Sequence, residues 1–163
     1  SQLKSVSRTR SGVGGGELPG WHCIDAFAGT GALGIEAASR GAASVLLCEQ
    51  DAELVAQLNT LKAKLDAQAL RVERGNGVTA VERAPAGSLH AVFLDPPFEQ
   101  DALYLPALRA AARALHADGA VYLEAPKRWT DDELAPLGLV GFRYLKAGAV
   151  HAHLLRPLAV ATA

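Results

Sequence analysis

Apolar residues fall along the chain in two rhythms that alternate from Trp21 onwards. Short unbroken runs, Val45-Leu46-Leu47-Cys48, Ala91-Val92-Phe93-Leu94 and Ala120-Val121-Tyr122-Leu123, have the length of buried strands. Between them Leu54, Val55, Leu58, Leu61 and Leu65, and later Leu105, Leu108, Ala112 and Leu115, recur at helical spacing and predict helices that pack by those faces. The pattern places strands at 21–25, 44–49, 70–73, 91–94 and 120–124, and helices at 32–40, 51–65 and 103–115. Asp51 is placed to cap the second helix, Gly41 to end the first, and Asp118-Gly119 to turn the chain into the fifth strand. Two final runs, 141–146 and 150–155, alternate at period two on either side of Ala147-Gly148-Ala149 and read as an antiparallel hairpin. Short connections from strand to helix to strand imply right-handed parallel crossovers, and so an α/β sheet.

In an open parallel sheet, ligands bind at the edge where the strands end. The first strand ends there in Asp25, and Ala26-Phe27-Ala28-Gly29-Thr30-Gly31-Ala32-Leu33-Gly34 turns into a helix whose N-terminus offers free N–H groups to a ligand. Gly29-x-Gly31-x-x-Gly34 also satisfies the dinucleotide fingerprint, which is weak evidence on its own. Asp25 separates the options: a carboxylate here repels a pyrophosphate but suits S-adenosylmethionine, whose ammonium and sulfonium are cationic. Glu49, ending the second strand, would accept ribose hydroxyls of either cofactor. Gly75-Asn76-Gly77 reads as a turn that sets Asn76 at the same edge, either as a partner for a cofactor base or as a left-handed turn residue.

A second group of residues carries chemistry of its own. Asp95-Pro96-Pro97-Phe98 leaves the fourth strand abruptly, because proline fixes φ and donates nothing to a ladder. Asp95 then stands at the same edge as Asp25 and Glu49, with a neighbouring backbone carbonyl as a second acceptor and Phe98 as a ring on which a planar base stacks. That combination suits an exocyclic amino group on an aromatic ring. Glu124 ends the fifth strand as a lone carboxylate, equally consistent with a loop anchor.

Composition changes the picture in a few places. At 163 residues, half of them hydrophobic, the chain has room for one core and one domain. Cys23 and Cys48 sit inside apolar runs and read as small buried hydrophobes in a reducing compartment. No zinc-ligand spacing occurs, and His151 and His153, which share a strand face, lack further ligands. With no apolar run long enough for a membrane span, a cytoplasmic protein is expected. Methionine is absent, as expected of a chain that is not a complete reading frame. The net charge of −1 excludes a broad positive field, so any basic surface must be local.

Asp25 to Gly34, with Glu36-Ala37-Ala38-Ser39-Arg40-Gly41-Ala42 after it, resembles the cofactor motif of the RsmD family of bacterial 16S ribosomal RNA guanine-N2 methyltransferases. Phe93 to Phe98 is similar to that family's catalytic motif, and Leu145-Lys146-Ala147-Gly148 with Leu154-Leu155 to its closing hairpin. The resemblance covers Trp21 to Pro157; the family's basic amino-terminal region is not recognisable before it, and Asn76 stands where many relatives carry aspartate. It implies a class I, Rossmann-like sheet of seven mostly parallel strands with a C-terminal antiparallel hairpin. It further implies S-adenosylmethionine as donor and a guanine N2 of 16S ribosomal RNA as acceptor, and the low charge predicts an assembling small subunit as the form in which that RNA is met.

The domain is expected at 21–157, between a mildly basic arm at 1–20 and a tail at 158–163. Cofactor-binding candidates are Asp25, Phe27, Gly29, Thr30, Gly31, Glu49, Gln50, Asn76, Gly77 and Asp95; catalytic candidates are Asp95, Pro96, Pro97 and Phe98. RNA-contact candidates are Lys4, Arg8, Arg10, Lys127, Arg128, Arg143 and Lys146, with no metal and a monomeric protein expected. Amino methylation of adenine N6 or cytosine N4, a noncatalytic RNA-binding assembly protein, and a dehydrogenase are the alternatives.

Overall fold

Alternate residues of each central strand face opposite sides of the sheet, and in this chain both sides are apolar. Ile24, Val92, Leu94, Val121 and Leu123 enter one core, while Cys23, Val45, Leu47, Ala91, Phe93 and Tyr122 enter another. The computed structural model describes residues 18–97 and 99–159. Its elements are β1 (His22–Asp25), α1 (Ala32–Ser39), β2 (Ser44–Glu49), α2 (Ala52–Leu65), β3 (Leu70–Arg74), α3 (Gly77–Arg83), β4 (Leu89–Leu94), α4 (Tyr104–Ala114), β5 (Leu115–Ala125), α5 (Asp131–Leu134), β6 (Leu139–Ala147) and β7 (Val150–Pro157). The strands form one seven-stranded sheet in the order β3-β2-β1-β4-β5-β7-β6. β1 to β5 are mutually parallel; β7 runs antiparallel to β5 and to β6. The seven strands and the closing hairpin are those expected, and Asp51 caps α2 by accepting from the N–H groups of Glu53 and Leu54.

Several local expectations are corrected. On α2 only Leu58 is fully buried, and Leu65 is 51% exposed. On α4 the buried face is Tyr104, Ala107, Leu108, Ala110, Ala111 and Ala114, while Leu105, expected to face inward, is 40% exposed. Alanine's weak hydrophobic signal hid that face, and its small side chain is what lets the helix lie close on the sheet. Leu115 begins β5 instead of ending α4, and Asp118-Gly119 is a register irregularity within that strand. A side chain at Gly119 would sit 2.9 Å from the Leu89 carbonyl, so glycine allows the two strands to approach there. The stretch after Asn76, read as a turn, is α3, whose seven residues are too few to show a helical period.

Packing begins before Trp21: Leu18 is fully buried and its N–H bonds the Arg40 carbonyl. At the other end the Leu158 N–H bonds the Gly138 carbonyl. Both cysteines are free and buried. Among the described residues no helix is long and apolar enough to cross a membrane.

Candidate active site

The turn after β1 is held from below by Asp25. Its carboxylate is 4% exposed and accepts the backbone N–H groups of Gly34 and Phe27. Burial raises its pKa to about 7, opposed by those two bonds and reinforced by Asp95 and Glu49. Asp25 therefore fixes the turn and does not line the cleft above it. The three glycines of the fingerprint divide their work. Gly29 has φ +55° with open space where a side chain would stand, whereas a Cβ at Gly31 would lie 2.6 Å from Leu58 and one at Gly34 2.2 Å from Leu47. Gly29 serves the cleft, and the other two let α1 and its turn pack on α2 and β2.

Above the turn lies a cleft of about 320 Å³, lined among others by Phe27, Gly29, Glu49, Gln50, Asn76, Gly77 and Asp95. Thr30 and Gly31, grouped with these on sequence, are not among its lining residues. Glu49 ties two turns together: Oε1 accepts from Gly29 N–H at 3.1 Å and Oε2 from Asp51 N–H at 2.8 Å. Each oxygen keeps one lone-pair direction for a further donor. Asn76 has φ −81°, so it is not a left-handed turn residue; its Oδ1 caps α3 by accepting from Val78 and Thr79. Only its amide N–H groups remain for a ligand, which must then present an acceptor. Gly77 is forced by contact, since a Cβ would stand 1.9 Å from the Ala26 carbonyl oxygen. Cys48, Gly75, Gln100 and Leu103 also line the cleft and were not singled out on sequence. Cys48 and Gly75 adjoin residues that were, whereas Gln100 and Leu103 follow the proline exit at no diagnostic spacing.

Asp95 also lines a dimple of only about 10 Å³, with Pro96, Tyr104, Glu124, Ala125, Pro126 and Val150. β4 and β5 pair Leu94 with Leu123, which sets Asp95 beside Glu124. Tyr122 donates its hydroxyl to Glu124 Oε1 at 2.5 Å. Loss of hydration raises the Asp95 pKa to about 7, with further contributions from the charge of Glu124 and a hydrogen bond to it. Burial, together with Asp95, Asp101 and Glu124, pushes the Tyr104 phenol up to about 12. Pro96 and Pro97 are at the site as expected, while Phe98 lies outside the described residues.

The basic residues gather beyond Glu124, on the loop after β5 and on β6. Lys127 pairs with Glu133 at 2.5 Å and lies 4.4 Å from the Trp129 ring; Arg128 lies 4.2 Å from the Tyr144 ring. Arg128 and Arg143 line a shallow cavity of about 430 Å³ with Trp129, Phe142 and Tyr144, and Lys146 is exposed near the hairpin tip. His153 anchors this loop: it is buried, accepts from Trp129 N–H at Nε2 and bonds the Leu123 carbonyl through Nδ1. Lys4, Arg8 and Arg10 lie outside the described residues.

Comparison with known proteins places this geometry among relatives. A family model described as conserved hypothetical protein 95 matches residues 9–156. Ribosomal RNA small subunit methyltransferase D of Escherichia coli K12 is 44% identical over 82 residues, which are 50% of this chain and 40% of that protein. The protein of the same name from Haemophilus influenzae is 31% identical over 134 residues, 74% of this chain and 69% of that one. Among solved structures, a putative methyltransferase, yhhF, from Escherichia coli matches with TM-score 0.74 and 32% identity over 87% of this chain and 78% of that one.

Proposed function

The chain belongs to the conserved hypothetical protein 95 family, the RsmD family that its motifs resemble, and has the class I methyltransferase sheet; from that premise we propose that it methylates the exocyclic N2 of a guanine in 16S ribosomal RNA. The observation that carries this reading is the double position of Asp95, which lines both the cleft and the adjoining pocket. In this reading the carboxylate faces the donor in the cleft and marks the side from which the acceptor base approaches. S-adenosylmethionine, when bound in the cleft, supplies a methyl group made electrophilic by its sulfonium. The cleft suits it: Gly29 leaves clear space, Glu49 retains acceptors that would take two ribose hydroxyls, and the Asn76 amide N–H groups would donate to the base. Phe27 and Gln50 complete the wall.

The guanine amino group is a poor nucleophile because its lone pair is delocalised into the ring. Asp95 accepts one N–H, the Pro96 carbonyl accepts the other, and both favour positive charge as it develops on nitrogen. Lys127, Arg128, Arg143 and Lys146 supply phosphate contacts, few in number, with Lys127 exchanging Glu133 for phosphate. So few contacts bind free RNA weakly, and a partly assembled small subunit supplies the remaining specificity through its shape. The test is to incubate the protein with labelled S-adenosylmethionine and small subunits, free RNA or DNA from cells lacking the activity, then identify the labelled nucleoside. N2-methylguanosine from the subunit is expected; label confined to adenine or cytosine, or none at all, overturns the reading.

Glu49→Ala should weaken S-adenosylmethionine and its demethylated product alike, by about 1.5–3 kcal/mol, the usual worth of hydrogen bonds to a charged group. Calorimetry with both ligands checks this. Unchanged affinity would place Glu49 outside the binding contacts and leave it the sole task of joining the two turns.

A further inference from the structure

Glu124 has no part in the reading above, yet it stands beside the residue on which that reading depends. We propose that Glu124 is a positioning residue that acts through Asp95: fixed by the Tyr122 hydroxyl two residues before it on the same strand, it shares one proton with Asp95 and so holds the Asp95 carboxyl in a single orientation. The inference rests on the assignment of Asp95 as the group that orients the amino nitrogen. Three features of the structure support it. The β4–β5 register brings the two carboxyl groups side by side, and both line the same small pocket. Tyr122, buried in the sheet, donates to one Glu124 oxygen at 2.5 Å and so fixes which oxygen remains for Asp95. Among the described residues, the other ionisable groups interacting with Asp95 are Asp25 on β1, Tyr104 on α4 and Tyr122 on β5, with Asp101 beside Tyr104; each is acidic or neutral, so none offsets a second negative charge. Lys127, in the loop that follows β5, is paired with Glu133 instead.

Two carboxyl groups in contact, with no cation against them among the described residues, retain one proton between them near neutral pH. The raised Asp95 titration, to about 7, is consistent with this. The proton balance of the reaction then follows. The amino nitrogen, on gaining a methyl group, must release one of its hydrogens as a proton. It passes to the Asp95 oxygen not engaged with Glu124, so that each carboxyl carries one proton. One of these leaves to water, restoring the singly protonated pair. Without Glu124, Asp95 keeps the cost of its burial but loses the neighbouring charge and the hydrogen bond, so it ionises more readily and is a stronger acceptor with a poorer aim.

Carbon-13 carboxyl NMR of the full chain, with neither cofactor nor RNA, tests the pair directly. In the wild type the resonance identified by its loss in Asp95→Asn should titrate near pH 7. In Glu124→Gln it should titrate lower by about one pH unit or more, because a neighbouring negative charge has been removed. Tyr122→Phe removes a donor from the charged pair and should move the same titration upward; opposite shifts from two neighbouring substitutions are not the mark of general loosening. The wild-type kcat/KM profile on small subunits should fall above the NMR midpoint near pH 7, where the shared proton is lost, whereas Glu124→Gln, which has no shared proton, should show an acid limb at its lower Asp95 midpoint and a plateau about tenfold lower. If Glu124→Gln does not fold, the upward shift in Tyr122→Phe decides. An unmoved Asp95 titration overturns the inference even where the wild type methylates RNA. Shifted titrations in a protein that methylates no RNA support the pair and overturn the function proposed above.

Discussion

Asp95→Ala should lower methyl transfer by about two to four orders of magnitude while leaving affinity for S-adenosylmethionine within a fewfold, the pattern expected when a group that acts on the developing transition state is lost. Three facts make this the larger of the catalytic effects. Asp95 is the carboxylate that lines both cavities, so its removal leaves the amino nitrogen without its principal acceptor. The other polar groups of the cleft, at Gly29, Glu49 and Asn76, are on different turns and remain in place. Asp95 also raises the cost of charge on Asp25, so the substitution relieves repulsion and the fold should not suffer. Single-turnover rates and calorimetry on the same preparation check both halves. A rate near wild type would remove Asp95 from the mechanism; a matching collapse of cofactor binding would make it a binding group instead.

Gly77→Ala should cost about 1–3 kcal/mol of stability or more, the range for forcing atoms into a filled space. The obstacle is backbone, and backbone cannot step aside. An added Cβ would stand 1.9 Å from the Ala26 carbonyl oxygen and 2.7 Å from its carbon, so α3 must shift bodily. Val78, Ala80 and Val81, all buried, would be drawn with it, and the Asn76 cap at the cleft wall would be displaced. Cofactor affinity should therefore fall together with stability. Gly29→Ala is the comparison: its added atom meets nothing within 4 Å, so the cost is confined to the positive φ, about 1–2 kcal/mol. Chemical denaturation of both variants should rank Gly77→Ala as the worse. The reverse order would mean that β1 and α3 separate more easily than their contact implies.

How legible the site was depended on whether a residue's role followed from its place in a strand. Asp25, Glu49 and Asp95 were found because apolar runs have ends and ends of parallel strands meet at one edge. What each carboxylate does there was not legible. Asp25 and Glu49 look equivalent in the sequence, yet one bonds backbone beneath the turn and the other bridges two turns in the cleft. Burial decides that, and burial depends on which neighbours the sheet order supplies. Glu124 was passed over for the same reason: it becomes a partner of Asp95 only through the pairing of β4 with β5. Asn76 was placed at the correct edge, but its use as a helix cap depended on α3, which leaves no periodic trace in seven residues. The alanine face of α4 was hidden because alanine suits a close contact without announcing one.

The two backbone bonds to Glu49 bear on how quickly the cofactor can be captured. A free glutamate side chain explores several rotamers, and a ligand that needs one of them must wait for it and forgo the entropy of the rest. Here the Gly29 and Asp51 N–H groups already hold the carboxylate, one at each oxygen, so under the proposed reading a ribose would meet a side chain already fixed. Association should then be governed by diffusion into the cleft and by desolvation of the sugar, with little conformational delay, and differences among cofactor analogues should appear mainly in how fast they leave.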